Sequence, residues 1–171
     1  MEVNKFKAHI LIVDDNRLNR IKMARVLQQQ GFQTTEVENG RLALECLGNG
    51  RCDLMLLDIV MPELNGFQVL EAMQQDKQIM NVPVIVISAQ DEIDNAVRCI
   101  EMGAEDYLIK PFNPVLLNAR LNAALEKKRL RDQEYAFLEQ LQIERQRLEA
   151  YTQELQARNQ ELDAFAHTVA H

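Results

Sequence analysis

The sequence predicts an α/β fold: a doubly wound five-stranded parallel sheet followed by a long C-terminal coiled-coil helix. Three observations carry that expectation. Apolar runs of strand length alternate with helix-patterned segments five times before the chain passes Pro114. The runs LMLL and VIVI are apolar at every position, as expected where helices cover both faces of a parallel sheet. All six glycines and all four prolines lie at or before Pro114, and the stretch that follows, dense in Leu, Gln, Glu and Arg, has neither.

The first unit pairs the strand HILIVD with the helical pattern LNRIKMARVLQQQG; the second pairs QTTEV with NGRLALECLG. CDLMLLD and GFQVLEAMQQ form the third, VPVIVIS and IDNAVRCIEMG the fourth. The fifth is DYLIK and a helix that opens near Pro114. Gly31 and Gly103 each follow the end of a helical pattern, where a left-handed C′ position favours glycine.

Beyond Pro114 the pattern stays helical to the last residue, some 55 residues or roughly 80 Å of rod at about 1.5 Å per residue. Leu141, Leu148, Leu155, Leu162 and Val169 recur in sevens, the seam of a coiled coil that a lone helix would leave in water. Two registers are open. One pairs the row with Leu138, Arg145, Thr152, Asn159 and Ala166, the other with Phe137, Glu144, Tyr151, Arg158 and Phe165. In the first, Asn159 is a buried polar residue that favours a parallel, in-register dimer.

Composition removes several classes of function. The net charge is −7, and no basic stripe with interleaved aromatics supplies the counterion-release term of nucleic-acid binding, so no nucleic-acid partner is expected. The N-terminal MEVNKFKAHILIVDD lacks a signal peptide's long apolar region, and no run approaches the roughly 18 apolar residues of a membrane span. Cys46, Cys52 and Cys99 form no CxxC pair, which argues against a disulfide framework or a thiolate zinc site. The expected compartment is the cytoplasm.

In an open parallel sheet, ligands bind at the carboxyl ends of the strands, so the residues that end each strand decide the chemistry. They are Asp14 and Asp15 after the first strand, Asp58 after the third, Ser88 at the fourth and Lys110 at the fifth. Taken singly, either Asp of the pair, or Ser88, reads as a helix cap, and Lys110 as a surface lysine at a turn. Taken jointly, three carboxylates at one sheet edge repel one another unless a cation sits among them. Oxygen donors without nearby His or Cys select a hard ion, Mg²⁺. Carboxylates, a hydroxyl and an amine around Mg²⁺ suit phosphoryl transfer.

These residues, in the segments ILIVDDN, DIVMPELNG, Ser88-Ala89 and Lys110-Pro111, resemble the receiver domain of two-component response regulators over about residues 8 to 125. The resemblance implies a flavodoxin-like sheet of order 2-1-3-4-5, with Asp58 as phospho-acceptor and Mg²⁺ held by Asp14, Asp15, Asp58 and the backbone carbonyl of Val60. It implies that Ser88 follows the phosphoryl group, that Tyr107 is the aromatic switch, and that Lys110 pairs with a phosphoryl oxygen. The donor would be a phosphohistidine on a histidine kinase or phosphotransfer protein. Phosphorylation would bias an existing equilibrium at the fourth helix, fifth strand and fifth helix, and so reach the rod.

The final ELDAFAHTVAH is similar to the start of the dimerisation helix of histidine kinases, with Phe165 six positions before His171 and Ala170 preceding that histidine. On this resemblance His171 is a phosphohistidine site separated from its catalytic domain, and the chain on its own is not an active kinase; His167 reads as a solvated or packing residue. The expected division is a receiver at 1–125 and a signalling helix at 126–171, which pairs as a parallel homodimer. A complete response regulator whose rod is itself the output is a second reading. A metal-dependent phosphohydrolase is a third, and it calls for an acid/base aspartate where Val60 stands.

Overall fold

A computed structural model describes residues 8–50, 52–89 and 93–171. Met1–Lys7, on which the expectation of no signal peptide partly rests, lie outside the described residues. The elements are β1 (His9–Val13), α1 (Arg17–Gln29), β2 (Gln33–Val37), α2 (Gly40–Gly48) and β3 (Leu54–Leu57), then α3 (Gly66–Gln75), β4 (Val84–Ser88), α4 (Ile93–Glu101), β5 (Asp106–Ile109) and α5 (Pro114–Ala170). All strand pairings are parallel, in the order β2-β1-β3-β4-β5. That is the predicted doubly wound sheet.

Alternate residues of each central strand face opposite layers. Leu11, Val13, Met55, Leu57, Val84 and Val86 pack with Ala43 and Leu47 of α2, Val69, Leu70 and Met73 of α3, and Cys99 of α4. Ile10, Ile12, Leu54, Leu56, Ile85 and Ile87 pack with Met23, Ala24 and Leu27 of α1 and with Leu117, Leu121 and Ala124 of α5. This two-sided burial is why LMLL and VIVI carry no polar position. The edge strands β2 and β5 are only partly covered, and polar residues are tolerated there.

Gly31 and Gly103 take the left-handed conformation beyond the ends of α1 and α4, with φ of 91° and 94°. The N-cap of α1 is neither aspartate of the acidic pair. Asn16 fills that position, its side-chain oxygen accepting the N–H groups of Leu18 and Asn19 at 2.9 and 3.3 Å. The aspartates are thereby left for other work. The three cysteines form no disulfide.

The chain divides into two compact units, Met1–Lys128 and Arg129–His171. α5 begins in the first and makes up all but the last residue of the second. No helix among the described residues is long and apolar enough to cross a membrane.

Candidate functional site

Sheet register brings the strand-end residues together. The N–H of Asp58 donates to the carbonyl of Val13 at 2.9 Å, so the carboxylate after β3 sits beside the acidic pair after β1. The N–H of Lys110 donates to the carbonyl of Ser88 at 2.8 Å, which sets the lysine beside the end of β4. One carboxylate oxygen each from Asp14, Asp15 and Asp58 lies within 4.8 Å of the others. Asp14 is fully buried, Asp58 and Ser88 are buried, and Asp15 is exposed.

The Lys110 ammonium donates to Asp14 Oδ2 at 2.6 Å and to Asp58 Oδ2 at 2.8 Å. Burial works against the ammonium, but its hydrogen bonds to Asp14 and Asp58 outweigh that, and the lysine holds its proton above the usual range. For Asp58 burial is the largest influence and raises its carboxyl above the ordinary carboxylate value, although Lys110 pulls the other way. The nucleophile candidate is thus a carboxylate whose charge depends on its cationic neighbour.

Tyr107 pairs with Val86 across β4 and β5 and is half-buried against the core layer of α2, α3 and α4. Val60, two residues after Asp58, is 59 % exposed, and its N–H donates to Asp58 Oδ1 at 3.4 Å. His171 belongs to the second unit, where its ring contacts that of His167.

Four residues that sequence reasoning did not single out complete the scaffold. Besides capping α1, Asn16 donates its N–H to Asp14 Oδ1 at 2.8 Å. The Asn19 amide donates to Asp14 Oδ2 at 3.3 Å. The Arg20 guanidinium donates to the carbonyls of both Asp14 and Asp15, at 2.7 and 3.2 Å, and so ties down the backbone that carries the pair. Gly66, the first residue of α3, lets the helix approach the loop after β3. A Cβ there would stand 2.6 Å from the carbonyl oxygen of Asp58 and 2.8 Å from the Cα of Ile59. The spacing DDNRLNR and the glycine at the end of DIVMPELNG were the available signals.

A family profile described as response regulator receiver domain matches residues 10–122. The chain is 36% identical over 118 residues to the phosphate regulon transcriptional regulatory protein PhoB of Pseudomonas aeruginosa, covering 69% of this chain and 52% of that one. It therefore spans about half the length of that relative. It is 33% identical over 120 residues to the two-component response regulator ORR3 of Oryza sativa subsp. indica, covering 70% of this chain and 92% of that one. Among solved structures, it superposes on the signal receiver domain of a signal transduction histidine kinase from Syntrophus aciditrophicus with a TM-score of 0.65 and 31% identity, covering 70% of this chain and 91% of that one.

Proposed function

The chain belongs to the response regulator receiver family, whose members are phosphorylated on aspartate, and from that premise we propose that Asp58 accepts the phosphoryl group from a phosphohistidine on a histidine kinase or phosphotransfer protein. The observation that carries this reading is the Lys110 ammonium shared between Asp58 and Asp14 at the edge where three carboxylates converge. Those all-oxygen donors fit a hard dication: Asp14, Asp15, Asp58 and the backbone carbonyl of Val60 would hold Mg²⁺, which when bound neutralises charge on phosphoryl oxygens.

The residues of the chain do the rest. An ionised Oδ of Asp58 attacks phosphorus, an acyl phosphate P–O bond forms, and the P–N bond breaks. Its electron pair returns to the donor imidazole, which takes a proton from solvent if it leaves as the anion. Lys110 keeps Asp58 ionised beforehand and remains beside the phosphoryl oxygens afterwards. Ser88 lies at the strand end that faces the new charge, and Tyr107 sits two residues along the neighbouring strand from its partner Ile109. Movement of Ser88 toward the phosphoryl group and inward rotation of Tyr107 bias the face formed by α4, β5 and α5.

The onward path is α5. Arg120 on α5 pairs with Asp106 at 2.9 Å, and Lys127 pairs with Glu105 at 2.6 Å, so the first turns of the helix are bonded to the strand that carries Tyr107 and to the residue before it. We read residues 1–125 as the receiver and 126–171 as a signalling helix that pairs with a second copy in parallel. The leucine row supports this, since Leu141, Leu148, Leu155, Leu162 and Val169 are each 42–68 % exposed in a single chain. The spacing of Phe165, Ala170 and His171, similar to the start of a histidine kinase dimerisation helix, supports His171 as a phosphohistidine site. The hydrolase reading has no support at Val60, an apolar side chain where that chemistry needs an acid.

Acetyl phosphate with Mg²⁺ tests the core of the proposal. Intact-mass measurement should show one phosphoryl group on the wild type and none on Asp58→Asn. Labelling that survives the substitution removes Asp58 from the role.

A further inference from the structure

His167 and His171 lie outside the acidic cluster, and a metal ion held by the His171 ring would exclude the phosphoryl group proposed for that ring above. They are four residues apart, His167 in the last turn of α5 and His171 directly after its final residue, close to the spacing that places helical side chains a turn apart on one face. Their ring centroids are 4.8 Å apart with planes at 78°, and both residues are exposed. Two ring nitrogens that share an ion at about 2.0–2.1 Å each lie no more than about 4 Å apart. Neighbouring rings at this separation can meet that span.

The pair also lies away from the apolar seam. At about 100° per residue, His167 points roughly 140° from Leu162 around the helix axis. Pairing of the leucine row with a second copy therefore leaves its imidazole, and the His171 ring in contact with it, clear of the seam. Neutral imidazoles suit borderline transition dications and not Mg²⁺, which prefers oxygen donors.

We propose that His167 and His171 form a bidentate site for a divalent transition metal of the Zn²⁺ class. The spacing is that of helices in which two histidines hold zinc, but the residue after the first histidine is Thr168 and not the glutamate that serves there as general base. Occupancy is therefore a binding event without hydrolytic chemistry.

The test is a Zn²⁺ titration of the full 171-residue chain by calorimetry, in excess Mg²⁺ so that the acidic cluster is not the sink, with imidazole proton signals followed in parallel. The expected result is one histidine-dependent Zn²⁺ per chain, with both rings perturbed in the same step. His167→Ala should weaken binding by at least about tenfold, because the second nitrogen binds at a high effective concentration. Asp58→Asn should leave this step unchanged, which keeps its outcome separate from that of the phosphoryl proposal. Two glycines appended after His171 should also leave it unchanged, since the ligands are the rings and not a terminal carboxylate. Wild-type affinity in His167→Ala, perturbation of one ring alone, or loss of binding on the glycine extension overturns the assignment.

Discussion

The carboxylate proposed as phospho-acceptor sits where burial disfavours the charge it needs. Asp58 keeps its proton to higher pH in the folded chain than in the unfolded one, where its ordinary value is 3.8. The stability tied to this group is therefore fully present below that value and lost as pH rises through the elevated one. Above that elevated value the loss is complete, and a neutral isostere escapes it. Asp58→Asn should accordingly raise the melting temperature of the metal-free protein at pH values above the elevated one, by about 2–4 °C for each kcal/mol relieved in a chain of this length. Thermal denaturation at a series of pH values checks this, with the advantage shrinking toward acid and also on addition of Mg²⁺. Lys110 is the opposite case. Lys110→Met leaves Asp14 and Asp58 facing each other without their cation and should cost on the order of 3 kcal/mol, read by urea denaturation, with Mg²⁺ restoring part of the loss. Both residues were legible because strand periodicity marks where each strand ends, and ligand chemistry in such sheets collects at those ends. Asn16, Asn19 and Arg20 were not, because their hydrogen bonds to Asp14 and Asp15, through backbone atoms for Asn16 and Arg20 and between side chains for Asn19, appear only with the turn from β1 into α1.

The glycine at the start of α3 shows how an element serves the site. The N–H of Gly66 donates to the carbonyl of Ile59 at 2.9 Å, and Asn65 and Gln68 form a reciprocal capping box that fixes where the helix begins. α3 thus starts against the backbone of Asp58, and a methyl group at position 66 would force the two apart. Gly66→Ala should cost about 1–3 kcal/mol in denaturant titrations and slow acetyl phosphate labelling of Asp58, because the contacts are with backbone that cannot rotate away. Wild-type labelling in a destabilised variant would limit the glycine to a packing role. Element types were readable where burial is two-sided, as in β3 and β4, whose residues are all buried. The sequence alone does not single out the cap of α1, for a physical reason. Asp and Asn are equivalent N-caps in isolation, and only the claim of Lys110 on Asp14 decides that Asn16 takes the position.

For the whole molecule, the open question is what covers the leucine row, and the two registers place different residues in its seam. The first puts Leu138 and Ala166 there with Arg145, Thr152 and Asn159; the second puts Phe137, Tyr151 and Phe165 there with Glu144 and Arg158. Phe137, Tyr151 and Phe165 are 61, 59 and 69 % exposed in the single chain, so the second register removes more apolar surface from water. We expect it to prevail. Sedimentation equilibrium of the full chain should then show a dimer that Leu148→Glu or Leu155→Glu weakens by tenfold or more, since each places a charge in the seam at a cost of about 1.4 kcal/mol or above. Tyr151→Ala separates the registers. It should weaken the dimer clearly if Tyr151 packs in the seam, whereas Asn159→Ala should have little effect there and a larger one in the first register, where Asn159 pairs across the interface. If phosphorylation reaches the rod through α5, acetyl phosphate with Mg²⁺ should shift the measured dimer affinity in the wild type and not in Asp58→Asn. An unchanged affinity in both would confine the signal to the receiver face, because a coupling free energy must appear in the equilibrium it is said to bias.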